Sequence, residues 1–306
     1  MKFRQFGSTG MKTSEVGMGC WAIGGNAFGN SYGTTEDAES VKAVRKAVDL
    51  GCNFFDTADV YGHGHSEELL GIALQKIRRG VLIATKVGGS YVYNDDKWGN
   101  MNFTAEYVRF AIEQSLLRLK TDYIDVYQLH NPTLAMIKEG EVFRPLRGLQ
   151  KEGKIRHVGI SVFTLDEGLA ALDHADSIQC VFNIIDPRNY EMMETAKRRG
   201  IGVIVREPLA NGLLTGKYNT GSSFEKGDIR NNTPPQYMEG VTELAQEIKE
   251  RFPWATPAQI ALKYVLSFDC VSTVIPGAKT PEQAAENMAA SDIRPLTKED
   301  MAVFGS

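Results

Sequence analysis

Four polar residues stand where short apolar runs end. Asp56 closes the run Asn53-Phe54-Phe55-Asp56, Lys86 closes 81–86, and His130 closes 125–130. Tyr61 follows in the segment just after Asp56. A free phenol has a pKa near about 10 and is a poor acid at neutral pH. A cationic lysine beside it favours the phenolate and lowers that value. A buried lysine sheds its own proton unless a carboxylate holds it, which gives Asp56 a role. His130 can donate a second hydrogen bond to the same substrate oxygen. Together the four can protonate an oxygen on which negative charge develops, a form of acid catalysis worth about 10²–10⁴-fold in rate. None of them supplies hydride, so a reduction at this site requires a cofactor.

Taken singly, each residue has an ordinary reading. A lone lysine at a strand end is usually a solvated charge, and a lone histidine after an apolar strand is usually a satisfied core residue. Asp56 before Thr57 can simply cap a turn. The functional reading rests on the set. Two other chemistries draw on neighbouring residues. Lys86 as an amine nucleophile would make a Schiff-base lyase. His63, His65 and Asp59 would make a metal site, but Gly62 and Gly64 interleave the histidines and no clear orienting ligand follows, so no metal is expected.

The set converges only if consecutive strands lie side by side. The chain alternates apolar, β-branched runs with helix-like stretches. Strands are expected at 16–20, 53–56, 81–86, 124–130, 157–162, 177–183, 202–206 and 272–275, after a short hairpin over 2–14. Helices are expected at 36–50, 66–77, 105–120, 135–152, 165–174 and 191–199, as a pair after the seventh strand, and at 281–290. Thr164 with Glu167 reads as a capping box, and Thr256 with Gln259 and Thr280 with Gln283 repeat it with proline at the first helical position. Alternation of this kind gives a parallel sheet, and eight repeats suggest closure into a (β/α)8 TIM barrel. An open doubly wound sheet is the rival, weakened by the lack of a G-x-G-x-x-G after any early strand. No linker composition divides residues 1–306, so one domain is expected. Long loops follow the third strand (88–103) and the seventh (207–237), at the barrel face that carries catalytic groups.

Composition narrows the function. The chain has 306 residues, 42% hydrophobic and 24% charged, which suits a large core without disulfide staples. Its 34 basic and 38 acidic side chains give a formal charge of −4, against a nucleic-acid partner. No apolar run reaches membrane-span length and no signal peptide opens the chain, so neither a membrane nor an export route is expected. Cys20, Cys52, Cys180 and Cys270 are scattered, which fits a reducing cytoplasm. No helix face presents an unambiguous self-complementary patch.

At this point the residues resemble those of the aldo-keto reductase superfamily, in a bacterial-type version. The stretch Phe55-Asp56-Thr57-Ala58-Asp59-Val60-Tyr61-Gly62 with Ser66-Glu67 is similar to its first signature. Ile83-Ala84-Thr85-Lys86 and Gln128-Leu129-His130-Asn131-Pro132 resemble the other catalytic segments. Gly159-Ile160-Ser161, the run from Pro208 through Leu209, Gly212, Leu214 and Gly216 to Tyr218, and Val274-Ile275-Pro276-Gly277 onward to Glu286-Asn287 resemble its cofactor-binding segments. The likeness runs in order from Phe3 to about Asp292.

The resemblance implies a barrel that binds NADPH in extended form, with NAD less favoured, and that reduces aldehydes or ketones reversibly. It makes Tyr61 the general acid, Lys86 and Asp56 its tuning pair, and His130 the orienting donor. Ser161 and Gln179 would meet the nicotinamide carboxamide, with Asn183 nearby. Trp21, Tyr91, Tyr93 and Trp98 would wall the pocket of a small carbonyl substrate. Two departures stand out at the nicotinamide. Val162 replaces a frequent asparagine, and Arg206 replaces a stacking aromatic ring. A guanidinium can stack on a ring but would repel an oxidised nicotinamide, which predicts a bias toward the reduced form. At the phosphate end Gly277-Ala278 replaces a Lys-Ser pair and Gln283 replaces an arginine. Lys279 remains as the cation for a 2′-phosphate, helped by the helix amides after Thr280. The same superfamily includes nucleotide-binding accessory subunits of potassium channels, the main alternative. No basic or amphipathic extension is expected ahead of Lys2, which favours catalysis.

Overall fold

The computed structural model describes residues 1–28, 31–89 and 101–304. The strand Ile124–His130 is buried at every position, as in a strand covered on both faces. The chain opens with an antiparallel hairpin of β1 (Phe3–Gln5) and β2 (Lys12–Ser14). Eight strands follow: β3 (Met18–Gly19), β4 (Phe54–Asp56), β5 (Leu82–Val87), β6 (Ile124–His130), β7 (Ile155–Ser161), β8 (Ser177–Val181), β9 (Gly202–Arg206) and β10 (Thr273–Val274). They pair in parallel in chain order. Val16 and Gly19 form parallel bridges to Val274 and Gly277, so the two edges meet and the expected (β/α)8 barrel closes.

The hairpin plugs the lower end. Phe6 packs inside the barrel with Phe54, Ala84, Val126, Ile204 and Ile275. Gly202 makes room for it, since a Cβ there would lie 2.8 Å from the Phe6 ring. The outer helices are α1 (Asp37–Asp49), α2 (His65–Leu74), α3 (Ala105–Leu119), α4 (Leu134–Glu139), α5 (Arg144–Lys151), α6 (Leu165–Ala171), α7 (Tyr190–Arg198), α8 (Pro235–Arg251), α9 (Pro257–Leu266), α10 (Pro281–Ala289) and α11 (Lys298–Ala302).

The differences from expectation have local causes. The single helix expected over 135–152 breaks in two. Gly140 takes φ 77° and donates to the Met136 and Ile137 carbonyls at 3.1 Å, ending α4, and α5 restarts with a proline in its first turn. The helix expected to reach residue 77 ends at Leu74 and tightens into a 3₁₀ turn, Gln75–Gly80. The capping boxes at Thr164 and Thr256 form. At Thr280 only half of the box forms, because the Gln283 side chain accepts from Lys279 N at 2.8 Å instead of from Thr280 N. The unexpected α11 carries a full box of Thr297 and Asp300. Among the described residues no helix is long and apolar enough to cross a membrane.

Candidate active site

Strand register brings the site together. Asp56 ends β4, Lys86 lies near the end of β5, and His130, Ser161 and Gln179 form one rung across β6, β7 and β8. Tyr61 comes from the turn after β4. Gly62 lets that turn lie against the turn Ala22–Gly24; at φ 58° its Cβ would sit 2.1 Å from the Gly24 carbonyl oxygen. Ser66 Oγ rivets the same segment, donating to the Cys20 carbonyl at 2.7 Å and lying 2.8 Å from Thr57 Oγ1.

Lys86 Nζ donates to Asp56 Oδ1 at 2.5 Å, to the Thr57 carbonyl at 2.8 Å and to the Tyr61 hydroxyl at 3.1 Å. An ammonium has three N–H groups, so each is in use. Asp56 Oδ2 accepts from Gln128 Nε2 at 3.0 Å and Gln179 Nε2 at 2.7 Å. The buried carboxylate is therefore fully held, which is what makes a charge tolerable there. Trp21 stacks near Tyr61 with ring centroids 5.8 Å apart, and His130 approaches Tyr61 edge-on at 5.9 Å.

Burial decides the protonation states, and it corrects one expectation. The Tyr61 phenol is pushed above its ordinary value by desolvation; Lys86 pulls it down and Asp56 pushes it up, without reversing the outcome. The lysine thus moderates the phenol rather than acidifying it, and Tyr61 keeps its proton at neutral pH. Burial also works to strip Lys86, but Asp56 and Tyr61 outweigh it and the ammonium is held above its usual range. His130 is driven well below the usual histidine range by burial, then by Lys86 and Arg206. It is a neutral imidazole. The arrangement offers an oxygen in the mouth a protonated phenol and a neutral ring, backed by a fixed positive charge.

A cleft of about 510 Å³ opens over this cluster, within the range of small-molecule sites. It runs from Trp21, Tyr61 and His130 past Ser161, Gln179 and Arg206 to Pro208, Leu209, Gly212, Gly277, Lys279, Gln283, Glu286 and Asn287. Those expected residues share one cavity. Lys86 lies behind it. Leu214 does not line it and is buried in the core. Asn183 organises a loop instead, donating to the Glu207 carbonyl at 2.9 Å and accepting from Ile185 N and Asp186 N. Tyr91, Tyr93 and Trp98 lie outside the described residues.

Charged residues in the cleft have partners the sequence did not reveal. Arg206 pairs with Glu207, donates to the Val162 carbonyl at 3.3 Å and lies over the Phe163 ring at 4.8 Å. Its charge is offset by the carboxylate next door, which weakens the basis for repelling an oxidised nicotinamide. Lys279 Nζ donates to the Tyr32 carbonyl at 2.7 Å and the Thr34 carbonyl at 3.2 Å. Burial and then Arg230 lower its pKa. Arg230 was not foreseen; it lines the cleft, binds Asp228 through two nitrogens at 2.9 and 2.5 Å, and donates to Tyr218 Oη at 2.5 Å. Tyr32 and Glu207 were also missed, while Asn131 had been read only as part of the segment around His130. Gln128 had a readable signal: it stands two residues before His130 on one strand, hence on the same face.

The metal alternative does not assemble. His65 hydrogen-bonds Asp37 at 2.8 Å, while His63 stacks on Phe28 at 3.9 Å. Among the described residues no group of metal-ligating side chains is placed to hold an ion. A nicotinamide cofactor fits better. Gln179 lines the cleft with its Oε1 buried and without a partner, an acceptor placed for an amide N–H.

The aldo/keto reductase family model matches residues 17–305. The chain belongs to the aldo/keto reductase family. It superposes on the holo form of an aldo-keto reductase from Bacillus halodurans with TM-score 0.83 and 30% identity, covering 100% of this chain and 95% of the other. It is 32% identical to an L-galactose dehydrogenase of Arabidopsis thaliana over 95% of this chain and 88% of that protein. It is 31% identical to an NADH-specific methylglyoxal reductase of Escherichia coli, over 96% and 94%. A probable voltage-gated potassium channel subunit beta of Arabidopsis thaliana is 30% identical over 97% and 93%. Family membership makes the chain an oxidoreductase that takes a nicotinamide cofactor and small carbonyl substrates.

Proposed function

We propose that this aldo/keto reductase reduces aldehydes or ketones to alcohols with NADPH, Tyr61 giving the proton. One observation carries the reading: Lys86 Nζ bridges Asp56 and the Tyr61 hydroxyl directly behind a cleft lined from Trp21 and Tyr61 to Lys279 and Asn287. A reduced nicotinamide held in the cleft would supply the hydride that none of these side chains can give. Tyr61 passes its proton to the carbonyl oxygen, and His130 donates a hydrogen bond to the same atom. Gln179 Oε1 and Ser161 would hold the carboxamide. Lys279 and Arg230 at the far end, with the amides opening α10, support NADP over NAD. A cytoplasmic setting is part of the reading, supported by four free buried thiols.

The saturated Lys86 ammonium argues against a Schiff-base lyase, whose lysine must lose a proton to attack. The complete proton-transfer set argues against a purely regulatory subunit. NADPH consumption across a panel of aldehydes, ketones and sugars tests both. Turnover at the mouth, without covalent trapping on Lys86 by borohydride, is the expected result. Tight NADPH binding with no consumption would favour the regulatory reading.

A further inference from the structure

We propose that Glu207 sets how the cleft discriminates between the oxidised and the reduced nicotinamide, by offsetting the charge of Arg206 at the barrel mouth. The inference rests on the reductase reading above and goes further, to a positioning residue on the loop after β9. Strand periodicity turns Arg206 inward. Phe54, Ala84, Val126 and Ile204 form a layer inside the barrel around Phe6. Two positions further along the same strands stand Asp56, Lys86, Gln128 and Arg206. Residues two apart on a strand share a face, so Arg206 joins the inward layer that holds the Asp56–Lys86 pair. It lines the cleft with Tyr61, His130 and Gln179, and its charge acts on both Tyr61 and His130. A nicotinamide whose carboxamide meets Gln179 would feel the same charge. That ring is cationic when oxidised and neutral when reduced, so an uncompensated Arg206 would penalise the oxidised form alone.

Glu207 is placed to remove the penalty. Its carboxylate pairs with Arg206. Its backbone is left-handed, at φ 56°, a conformation that suits Gly or Asn better than Glu. The Glu207 carbonyl accepts from Asn183 Nδ2 at 2.9 Å and from Ala210 N at 3.1 Å, which fixes the turn without the carboxylate. The turn therefore does not call for this side chain, and the work of the carboxylate is on Arg206. Neighbouring acids are already taken. Asp56 is held by Lys86 at 2.5 Å and Asp186 by Arg188 at 2.6 Å. Among the described residues no other carboxylate pairs with Arg206.

The test is the ratio of dissociation constants for NADP⁺ and NADPH, read by isothermal titration at neutral pH and low salt, and repeated with NAD⁺ and NADH. The two members of each pair differ only at the nicotinamide, so any effect on the phosphates or on the loop cancels. Glu207→Gln should raise the ratio about tenfold, the scale of one uncompensated charge near another. Arg206→Met, which leaves the carboxylate alone, should lower it. The double variant Arg206→Met with Glu207→Gln should return to within about threefold of the parent, since both charges are gone. An unchanged ratio in Glu207→Gln would overturn the proposal. So would equal weakening of both oxidation states, which is what a merely structural role in the loop predicts, or a double variant that keeps the tenfold shift. A parent that binds both forms but turns over no carbonyl would sink the reductase reading and leave the ratio test standing. A parent that binds neither form would bring down both.

Discussion

The partners of each charged side chain decide what this site can do. Lys86, Arg206 and Lys279 are all cations at or behind one cleft, yet they have different freedom. Lys86 has every N–H engaged, and Arg206 is matched by Glu207. Lys279 spends two donors on the Tyr32 and Thr34 carbonyls and keeps one. It is therefore the residue from which a phosphate-dependent contact can be removed cleanly. Lys279→Ala should weaken NADPH binding by roughly tenfold, the effect of losing one charge-assisted hydrogen bond, and NADH binding much less. Isothermal titration with both cofactors checks it, and equal losses would count against a phosphate role. The pairing of Lys86 with Asp56 was readable beforehand; the partners of Arg206 and Lys279 were not. Tyr32 and Lys279 are 247 positions apart, and the contact uses a backbone carbonyl that no side-chain motif marks.

At the scale of elements, the reading succeeded where a run of residues carried its own signal. The ends of β6 and β9 fell where the apolar runs stop. It failed where a turn intervened, as at Gly140, or where an element was too short to show a period, as with α11. The turn bearing Tyr61 shows what such local geometry is worth. Gly62 combines a positive φ with direct contact against the Gly24 backbone. Gly62→Ala must move one turn away from the other, because backbone cannot yield as a side chain does. We expect about 1–3 kcal/mol of lost stability and a fall in kcat larger than any rise in KM for the cofactor. Thermal unfolding and steady-state kinetics measure both; an unchanged kcat would show that the turn does not position the phenol.

The whole molecule sets the protonation states, and this is the part furthest from the sequence. A lysine next to a tyrosine suggests an acidified phenol when only the pair is considered. The closed barrel adds desolvation, which raises Tyr61 and lowers His130 together. Desolvation is a property of the finished fold, so no spacing of residues announces it. It makes the working state a protonated phenol facing a neutral imidazole, with the Asp56–Lys86 pair keeping a cation in place behind them. The pH dependence of kcat/KM for carbonyl reduction, run in the parent and in Tyr61→Phe, tests this most directly. A proton donor whose pKa lies above its ordinary value holds its proton through the neutral range and loses it only on the alkaline side. The parent should therefore stay level through neutral pH and fall only above about pH 10. Tyr61→Phe should drop by about 10²–10⁴-fold and lose that alkaline limb. A parent profile that falls with a midpoint near neutral pH, or a phenylalanine variant as active as the parent, would contradict the account.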